Sequence, residues 1–424
     1  MKATTLIEEF KNKKHDKLLQ DLYLDESLIS YQNQRYIQAL NKFIELYGDL
    51  DIEMYTTAGR SEVGGNHTDH QHGCVLAASI NLDAIAVVAP QKDKVKVLSD
   101  DFDIKEIDVN KLDKISEEEG TSEALIKGVL HKLKENGHKV DGFKAFITSD
   151  VLMGAGLSSS AAFEGIIGTI EDGLYNNMDI DMVEIAKIGQ YAENVYFGKP
   201  CGLMDQCACA VGGLISIDFN DPTKPIVNSV NVDFSKFNHS LCIVDTKGSH
   251  ADLTGEYAAV PKEMKDVAKF FNKEVLREVD EKEFYDKLPE VRKALGDRPV
   301  LRAIHFFNEN KRVGKQVAAL QAGDFNKFKS LIKESGDSSY KYLQNVYANC
   351  DVNNQSVSIA LAMSDVILGS HGVSRVHGGG FAGTIQAFVE DEYVDTYKTQ
   401  IEKVFGKDSC HVLKVTAQGG KKIF

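Results

Sequence analysis

Apolar residues at the start of the chain recur at helical spacing: Leu6, Phe10, Leu18 and Leu19, then Tyr36, Ile37, Leu40, Phe43, Ile44 and Tyr47. Such spacing places them on one stripe of a helix, so residues 1–48 read as two amphipathic helices with no evident chemistry. From Ile52 the texture changes to short β-branched runs, IEMYTTA, DAIAVVAP and KVKVLS, broken by Gly, Asn and Asp, which predicts strands and turns. A helical pattern from Ser122 to Asn136 leads to a strand, FKAFIT, then to a glycine-serine loop that opens a helix near Ser158. Helices at about 182–196, 256–272, 302–321 and 352–367 then alternate with the strand-like runs LISIDF, LCIVDT, TIQAFVE and HVLKVTA. The pattern is mixed α and β throughout, with no internal repeat and no low-complexity tract.

Length adds a domain count. At roughly 100–200 residues per domain, 424 residues predict two units, with a boundary near 200–215. With 43% hydrophobic and 26% charged residues, the composition is that of a folded chain. The net charge of −14 disfavours nucleic acid and anionic lipid as partners. No apolar run approaches the ~20 residues of a membrane span, and MKATTLIEEFKNKKHDK lacks a signal-peptide core, so the expected compartment is the cytoplasm. Seven cysteines, mostly within apolar runs, read as reduced thiols. The pair Cys207 and Cys209 has no partner pair at zinc-site spacing.

Three segments carry candidate chemistry. In MGAGLSSSAAF, Gly154 and Gly156 precede Ser158, Ser159 and Ser160 at a helix start, where free N–H groups, dipole and hydroxyls suit a polyphosphate; a serine-capped helix is the plainer reading. AGRSEVGGNHTDHQHG packs Arg60, Glu62, Asn66, His67, Asp69, His70 and His72 into what reads as a turn-rich stretch after a strand. These groups suit the hydroxyls of a sugar, while His67, Asp69, His70 and His72 would also serve a zinc ion, and a solvated polar loop accounts for them as well. In AENVYFGKPCGLMDQCACA, Glu193 ends one helix and Asp205 starts another, where dipole and amides stabilise a carboxylate anion; simple capping is the alternative. GGGFAG, from Gly378 to Gly383, fits G-x-G-x-x-G, but the strand-like TIQAFVE follows it, so it reads as a hairpin turn and not a dinucleotide site.

Together these segments match a known set. GRSEVGGNHTDH resembles the galactokinase signature, MGAGLSSSAA the phosphate loop of the GHMP small-molecule kinases, and SRVHGGGFAG their third motif. The resemblance continues through PCGLMDQ and GEYAAVPKEM and spans Tyr55 to Phe388 in the family's order. It implies an α+β, two-domain GHMP kinase fold with the active site in the inter-domain cleft, transferring the ATP γ-phosphoryl group to a sugar's anomeric hydroxyl. By position, Gly154, Ala155, Gly156, Leu157, Ser158, Ser159 and Ser160 would bind the nucleotide phosphates, and Ser160 and Glu193 would bind Mg²⁺. Asp205 falls on the family's catalytic aspartate and Arg60 on its partner arginine. Asn66, His67, Thr68, Asp69, Gly202 and Tyr257 fall on sugar-contacting positions. The implied division is a helical extension (1–48), an N-terminal kinase domain (49–205 with about 410–424) and a C-terminal domain (206–409).

Several residues depart from the family's usual pattern. Ser61, Glu62, Gly64 and His70 stand where Val, Asn, Ile and Tyr are usual; Asn66 replaces a glutamate, and His377 and Ala382 replace Thr and Gly. The expected activity is a Mg-ATP-dependent galactokinase acting as a monomer on small molecules, without nucleic acid or membrane. A kinase of galacturonate or another galacto-configured sugar, and a non-catalytic ATP- and sugar-binding sensor, are the alternatives.

Overall fold

In the computed structural model, which describes all residues except 101, 153–155 and 250–252, the strands divide between two sheets. Glu53–Gly64 (β1), Cys74–Gln91 (β2), Lys94–Ser99 (β3), Phe102–Asp108 (β4), Gly142–Ser149 (β5), Leu214–Asp218 (β6) and Ile226–Ser229 (β7) belong to the first. His239–Asp245 (β8), Gly372–Val376 (β9), Thr384–Glu390 (β10) and Cys410–Leu413 (β11) form the second, in the order β11-β8-β10-β9 and antiparallel throughout. The C-terminal Lys421–Lys422 (β12) returns to pair with β1.

Strand β2 is long enough to serve two neighbours on one side. Its second half pairs with β5 and its first half with β6, while β1 lies along the other edge. Alternation sorts its side chains between two cores. Tyr55, Ala84, Ala86 and Val88 pack with residues of the helices Ser122–Glu135, Ser159–Tyr175 and Met182–Tyr191. Met54, Ile85, Val87 and Ala89 pack instead with Leu6, Phe10, Leu22, Tyr36 and Phe43 of the N-terminal helices. The N-terminal segment therefore covers one face of the sheet.

That segment contains three helices, Ala3–Lys11, Asp16–Tyr23 and Ile29–Tyr47, where periodicity predicts two. The chain breaks at Lys13 and again at Leu24, both in left-handed backbone conformations (φ 58° and 55°) that end a helix. A second difference lies at Ala58–Gly64, which reads as part of a turn-rich loop but continues β1, its residues buried and paired to β2. Backbone pairing overrides polarity there, and the loop itself spans only residues 65–73. Strand membership also differs from the expected division. Strands β6 and β7 extend the first sheet past residue 205 because β2 offers them an edge, and Cys410–Leu413 joins the second sheet beside β8.

The two sheets share one apolar cluster. Val63, Leu76 and Ile80 of the first sheet, Val151 and Leu157 on either side of the glycine-serine loop, and Leu241, Ile243 and Phe388 of the second are all buried in it.

One buried ionic group ties the N-terminal helices to the sheet. Arg35 donates to the Asp83 carboxylate (2.7 Å), to the carbonyls of Asp83 (2.8 Å) and Thr148 (3.1 Å), and pairs with Asp150 (3.1 Å). Tyr23 and Thr56 donate to the same Asp83 carboxylate, and Tyr31 and Gln32 to Asp150. Arg35→Met leaves two carboxylates without their cation and is expected to lower the unfolding free energy by about 3–5 kcal/mol. Urea denaturation at neutral pH checks this; a loss under about 1 kcal/mol would show that the cluster does not act as a unit.

Candidate active site

The site begins at a glycine. Between Ala58 and Arg60 the register of β1 against β2 shifts: Gly59 alone stands opposite Ile80, Asn81 and Leu82, so the extra residues belong to β2. Gly59 is also a close approach: a Cβ there would lie 3.0 Å from Val151 Cγ1 and 3.3 Å from the Leu157 carbonyl oxygen. Arg60, 7% exposed, points across this junction. Its Nε and Nη2 donate to Asp205 Oδ1 and Oδ2 (2.7 and 2.6 Å), a bidentate pair, and its Nη1 donates to the Gly156 carbonyl.

Asp205 lies in the first turn of the helix Met204–Val211, with 34% of its side chain accessible. Burial pushes its carboxyl up, but the Arg60 guanidinium and the Ser158 hydroxyl, which donates to Oδ2, outweigh that and hold it below the usual carboxylate range. Ser158 precedes the helix Ser159–Tyr175 in a left-handed conformation (φ 59°), yet its side chain does not cap that helix. The hydroxyl goes to Asp205 instead.

Gly156, Leu157, Ser158, Ser159 and Ser160 gather at this helix start, whose free amides suit an anion; Gly154 and Ala155 lie outside the described residues. Ser160 donates to Glu193 Oε1 (3.3 Å), which also accepts from Lys199 (3.0 Å). Glu193 sits in a π-helical turn, Ala192–Phe197, that continues the helix Met182–Tyr191. A hydroxyl and a carboxylate are hard oxygen donors of the kind Mg²⁺ accepts alongside nucleotide phosphates. Among the described residues no group of three or more His, Cys, Asp or Glu is arranged to hold a metal, so the zinc alternative at His67, Asp69, His70 and His72 has no geometric support.

The sugar-contact candidates separate into two kinds. Asp69 and Gly202 meet closely, since a Cβ on Gly202 would lie 2.9 Å from Asp69 Oδ2. Tyr257 packs against Gly379 and donates to the Gly380 carbonyl (2.7 Å), and His67 Nε2 donates to the Gly379 carbonyl (3.0 Å). That bond fixes the tautomers of a chain. His67 Nδ1 must accept from His70 Nε2 (3.4 Å), and His70 Nδ1 from Gln71 (3.2 Å). Burial holds His70 neutral, its pKa down to about 4.

Asn66 and Thr68, by contrast, are fully buried. Thr68 bonds back to the carbonyls of Gly65 and Cys74. Asn66 donates to Glu62 (3.1 Å) and the Gly378 carbonyl (2.7 Å) and accepts from Ser339 (3.2 Å) and Asn345 (2.9 Å), which uses all four of its hydrogen-bonding positions on the protein. It pins β1 to the second half of the chain.

Comparison with known proteins accords with this geometry. The GHMP kinases N terminal domain matches residues 124–213, and the galactokinase galactose-binding signature matches residues 41–90. A galactokinase of Actinobacillus pleuropneumoniae serotype 3 is 31% identical over 374 residues, covering 88% of this chain and 94% of that protein. The chain belongs to the galactokinase family. A Streptomyces coelicolor galactokinase is 30% identical, over 86% of this chain and 91% of its own. The crystal structure of Lactococcus lactis galactokinase complexed with galactose superposes with a TM-score of 0.75 at 26% identity, covering 90% of this chain and 98% of that one. The Methanococcus jannaschii mevalonate kinase, at 16% identity and a TM-score of 0.60, shares the fold.

Of the seven departures from the family pattern, four fall into two contacting pairs. Glu62 and Asn66 exchange the residue types usual at their two positions and are bonded to each other; Arg375 of β9 donates to the same Glu62 oxygen. Ser61 is bonded to His377 Nε2 (3.1 Å), and His377 packs beside Gly156. The space a side chain at Gly64 would take is filled by Gln316. Sequence reasoning singled out neither Arg375, although it stands in the quoted SRVHGGGFAG, nor His305 and Glu309, which carry no motif. His305 donates from Nε2 to the Asn66 carbonyl (2.9 Å), and Glu309 accepts from Gly65 N (3.2 Å) and from Ser335 (2.6 Å).

Two predictions follow from this network. Asn66→Glu places a second carboxylate beside Glu62, and Glu62→Asn leaves Arg375 with only the Glu309 carboxylate, 4.0 Å away; each is expected to cost about 3–5 kcal/mol. The double exchange should return within about 1 kcal/mol of the wild type in a double-mutant cycle read by urea denaturation. The second concerns pH. Burial holds His305 neutral with a pKa near about 4, below the ordinary value of 6.5. Between these values the unfolded chain binds the proton and the folded one does not, so stability falls as pH drops from 6.5 to 4. That group alone contributes roughly 3 kcal/mol over the window. His305→Gln, which keeps a donor toward Asn66, should flatten the pH dependence of the melting temperature there.

Proposed function

We propose that the chain transfers the γ-phosphoryl group of ATP to the anomeric hydroxyl of D-galactose, giving α-D-galactose 1-phosphate. The observation that carries this reading is the bidentate Arg60–Asp205 pair between a helix-start phosphate loop and the Asp69–Gly202 contact. Asp205 would accept a hydrogen bond from the anomeric hydroxyl and align it for in-line attack. Its carboxyl is held anionic by Arg60, so it is a weak base, and alignment is its larger contribution. Arg60, placed at the Gly156 carbonyl, would offset negative charge on the transferring phosphoryl group.

The amides at Gly156–Ser160, with Gly154 and Ala155, would hold the nucleotide phosphates. Ser160 and Glu193 would hold Mg²⁺, which supplies charge neutralisation at the β- and γ-phosphates. His67, Asp69, Gly202 and Tyr257 would face the sugar. Asn66 and Thr68 act on it indirectly, by holding the loop that presents His67 and Asp69. The domain division, with the cleft between sheet-centred halves as the binding region, and action in the cytoplasm as a monomer belong to the same proposal. No helix is long and apolar enough to cross a membrane among the described residues.

A coupled ADP-release assay with galactose, galacturonate and glucose tests the reading. Turnover is expected with galactose; a preference for galacturonate would name a different acceptor, and silence on every sugar would favour a sensor. Asp205→Ala should lower kcat by about 10²–10⁴-fold with the circular dichroism spectrum unchanged. Gly202→Ala, which forces Asp69 aside, should raise the KM for galactose by about ten-fold or more while sparing the KM for ATP.

A further inference from the structure

Asp205 and Gln206 are consecutive residues of one helical turn, and they serve opposite sides of the site. Gln206 is 2% exposed. Its Nε2 donates to Glu193 Oε2 (2.9 Å) and to Glu164 Oε2 (3.1 Å), with Cys201 Sγ at 3.5 Å. The Glu193 carboxylate is thereby divided: Oε2 is held by Gln206, and Oε1 is turned to Ser160 and Lys199. Glu164 lies one turn along the same helix as Ser160, 1% exposed, and gives the amide its second anchor. Glycine at 189 makes room for the arrangement, since a Cβ there would come within 3.1 Å of Glu164 and 3.4 Å of Gln206 Cγ.

We infer that Gln206 is a positioning residue for the magnesium nucleotide: by tying Oε2 of Glu193 to the same turn that carries Asp205, it fixes Oε1 as the oxygen that faces the phosphate loop. The inference rests on the reading of Glu193 as a Mg²⁺ partner given above. Without the amide, Glu193 is held only through Oε1, by Ser160 and Lys199, and its distance from Asp205 is no longer set by one helical turn. On the sugar side of the site, Asp69 lies against Gly202 and Tyr257 donates to the Gly380 carbonyl.

The test is Gln206→Met, which keeps the length and removes the donor. Isothermal titration of the free enzyme should show affinity for Mg-ADP reduced about ten-fold, with ADP in EDTA and galactose bound as in the wild type. The Mg²⁺ concentration for half-maximal turnover should rise by a similar factor. A role confined to packing would lower the melting temperature without separating Mg-ADP from metal-free ADP, and that result overturns the inference. If Gln206→Met does not fold, Glu164→Leu removes the amide's other anchor and should shift Mg-ADP affinity the same way by about three-fold; no shift overturns the inference equally. Glu193→Gln run alongside separates the two claims. An unmoved Mg²⁺ dependence in that variant removes the Glu193 reading itself, whereas a shift there with none in Gln206→Met removes only the role of Gln206.

Discussion

A guanidinium taken out of water must be met by an anion and by oriented dipoles, or the fold that buries it does not form. Arg60 meets this condition with groups from distant parts of the chain: Asp205, 145 residues on, and the Gly156 carbonyl, 96 residues on. Satisfying one side chain therefore brings together the strand, the phosphate loop and the helix start. Gly59 makes this geometry available. It stands where the register against β2 shifts, and its missing Cβ lets Val151 and Leu157 close against the strand. The same two residues sit in the apolar cluster shared by both sheets, so burial anchors the loop at Val151 and Leu157 and Arg60 bonds it at Gly156.

The second half of the chain reaches the site through polar contacts of the same kind. Arg375 meets Glu62, the Gly378 carbonyl meets Asn66, and the Gly379 carbonyl meets His67. β1 with the polar loop after it, and β9 with the glycine turn after it, are thus joined at three points, so the two elements present one surface although they belong to different sheets. His70, His305 and His377 are kept neutral by burial, which lets them act as directional donors and acceptors without adding charge to the site.

Local signals in the sequence carried the helix starts at Ser122 and Ser159, the strands of the second sheet and the residues of the phosphate loop, because each depends on neighbours within a turn or two. What stayed hidden depends on partners hundreds of residues away. Polar residues from Ala58 to Gly64 look like a loop until β2 supplies their pairing, and Asn66 looks like a ligand group until Gly378, Ser339 and Asn345 take its valences. The departures from the family pattern show the same limit. Read one by one, Ser61, Glu62, Gly64, Asn66 and His377 suggest a changed specificity. Read in three dimensions, Ser61 with His377 and Glu62 with Asn66 are contacts in which both partners have changed together, and Gly64 leaves room for Gln316. The carboxylate bonded to Arg375 comes from position 62.

That exchange bears on how the site discriminates. A carboxylate at Glu62, paired with Arg375 and shut away at 5% exposure, maintains the local charge balance without touching a ligand. On the proposed reading, contact with the sugar would then fall to groups less buried than Glu62 and Asn66, chiefly Asp69 beside Gly202. On the phosphoryl side the lowered pKa of Asp205 points the same way. A base so acidic takes little of the proton early, and a loose phosphoryl-transfer transition state asks little of it, since most charge resides on the transferring group. The demand that remains is positional: an acceptor hydroxyl aligned by an oriented carboxylate, and an arginine already desolvated where charge develops. Both are set before any ligand arrives, by the bond from Ser158 to Asp205 and by the bonds that hold Arg60 between Asp205 and the Gly156 carbonyl.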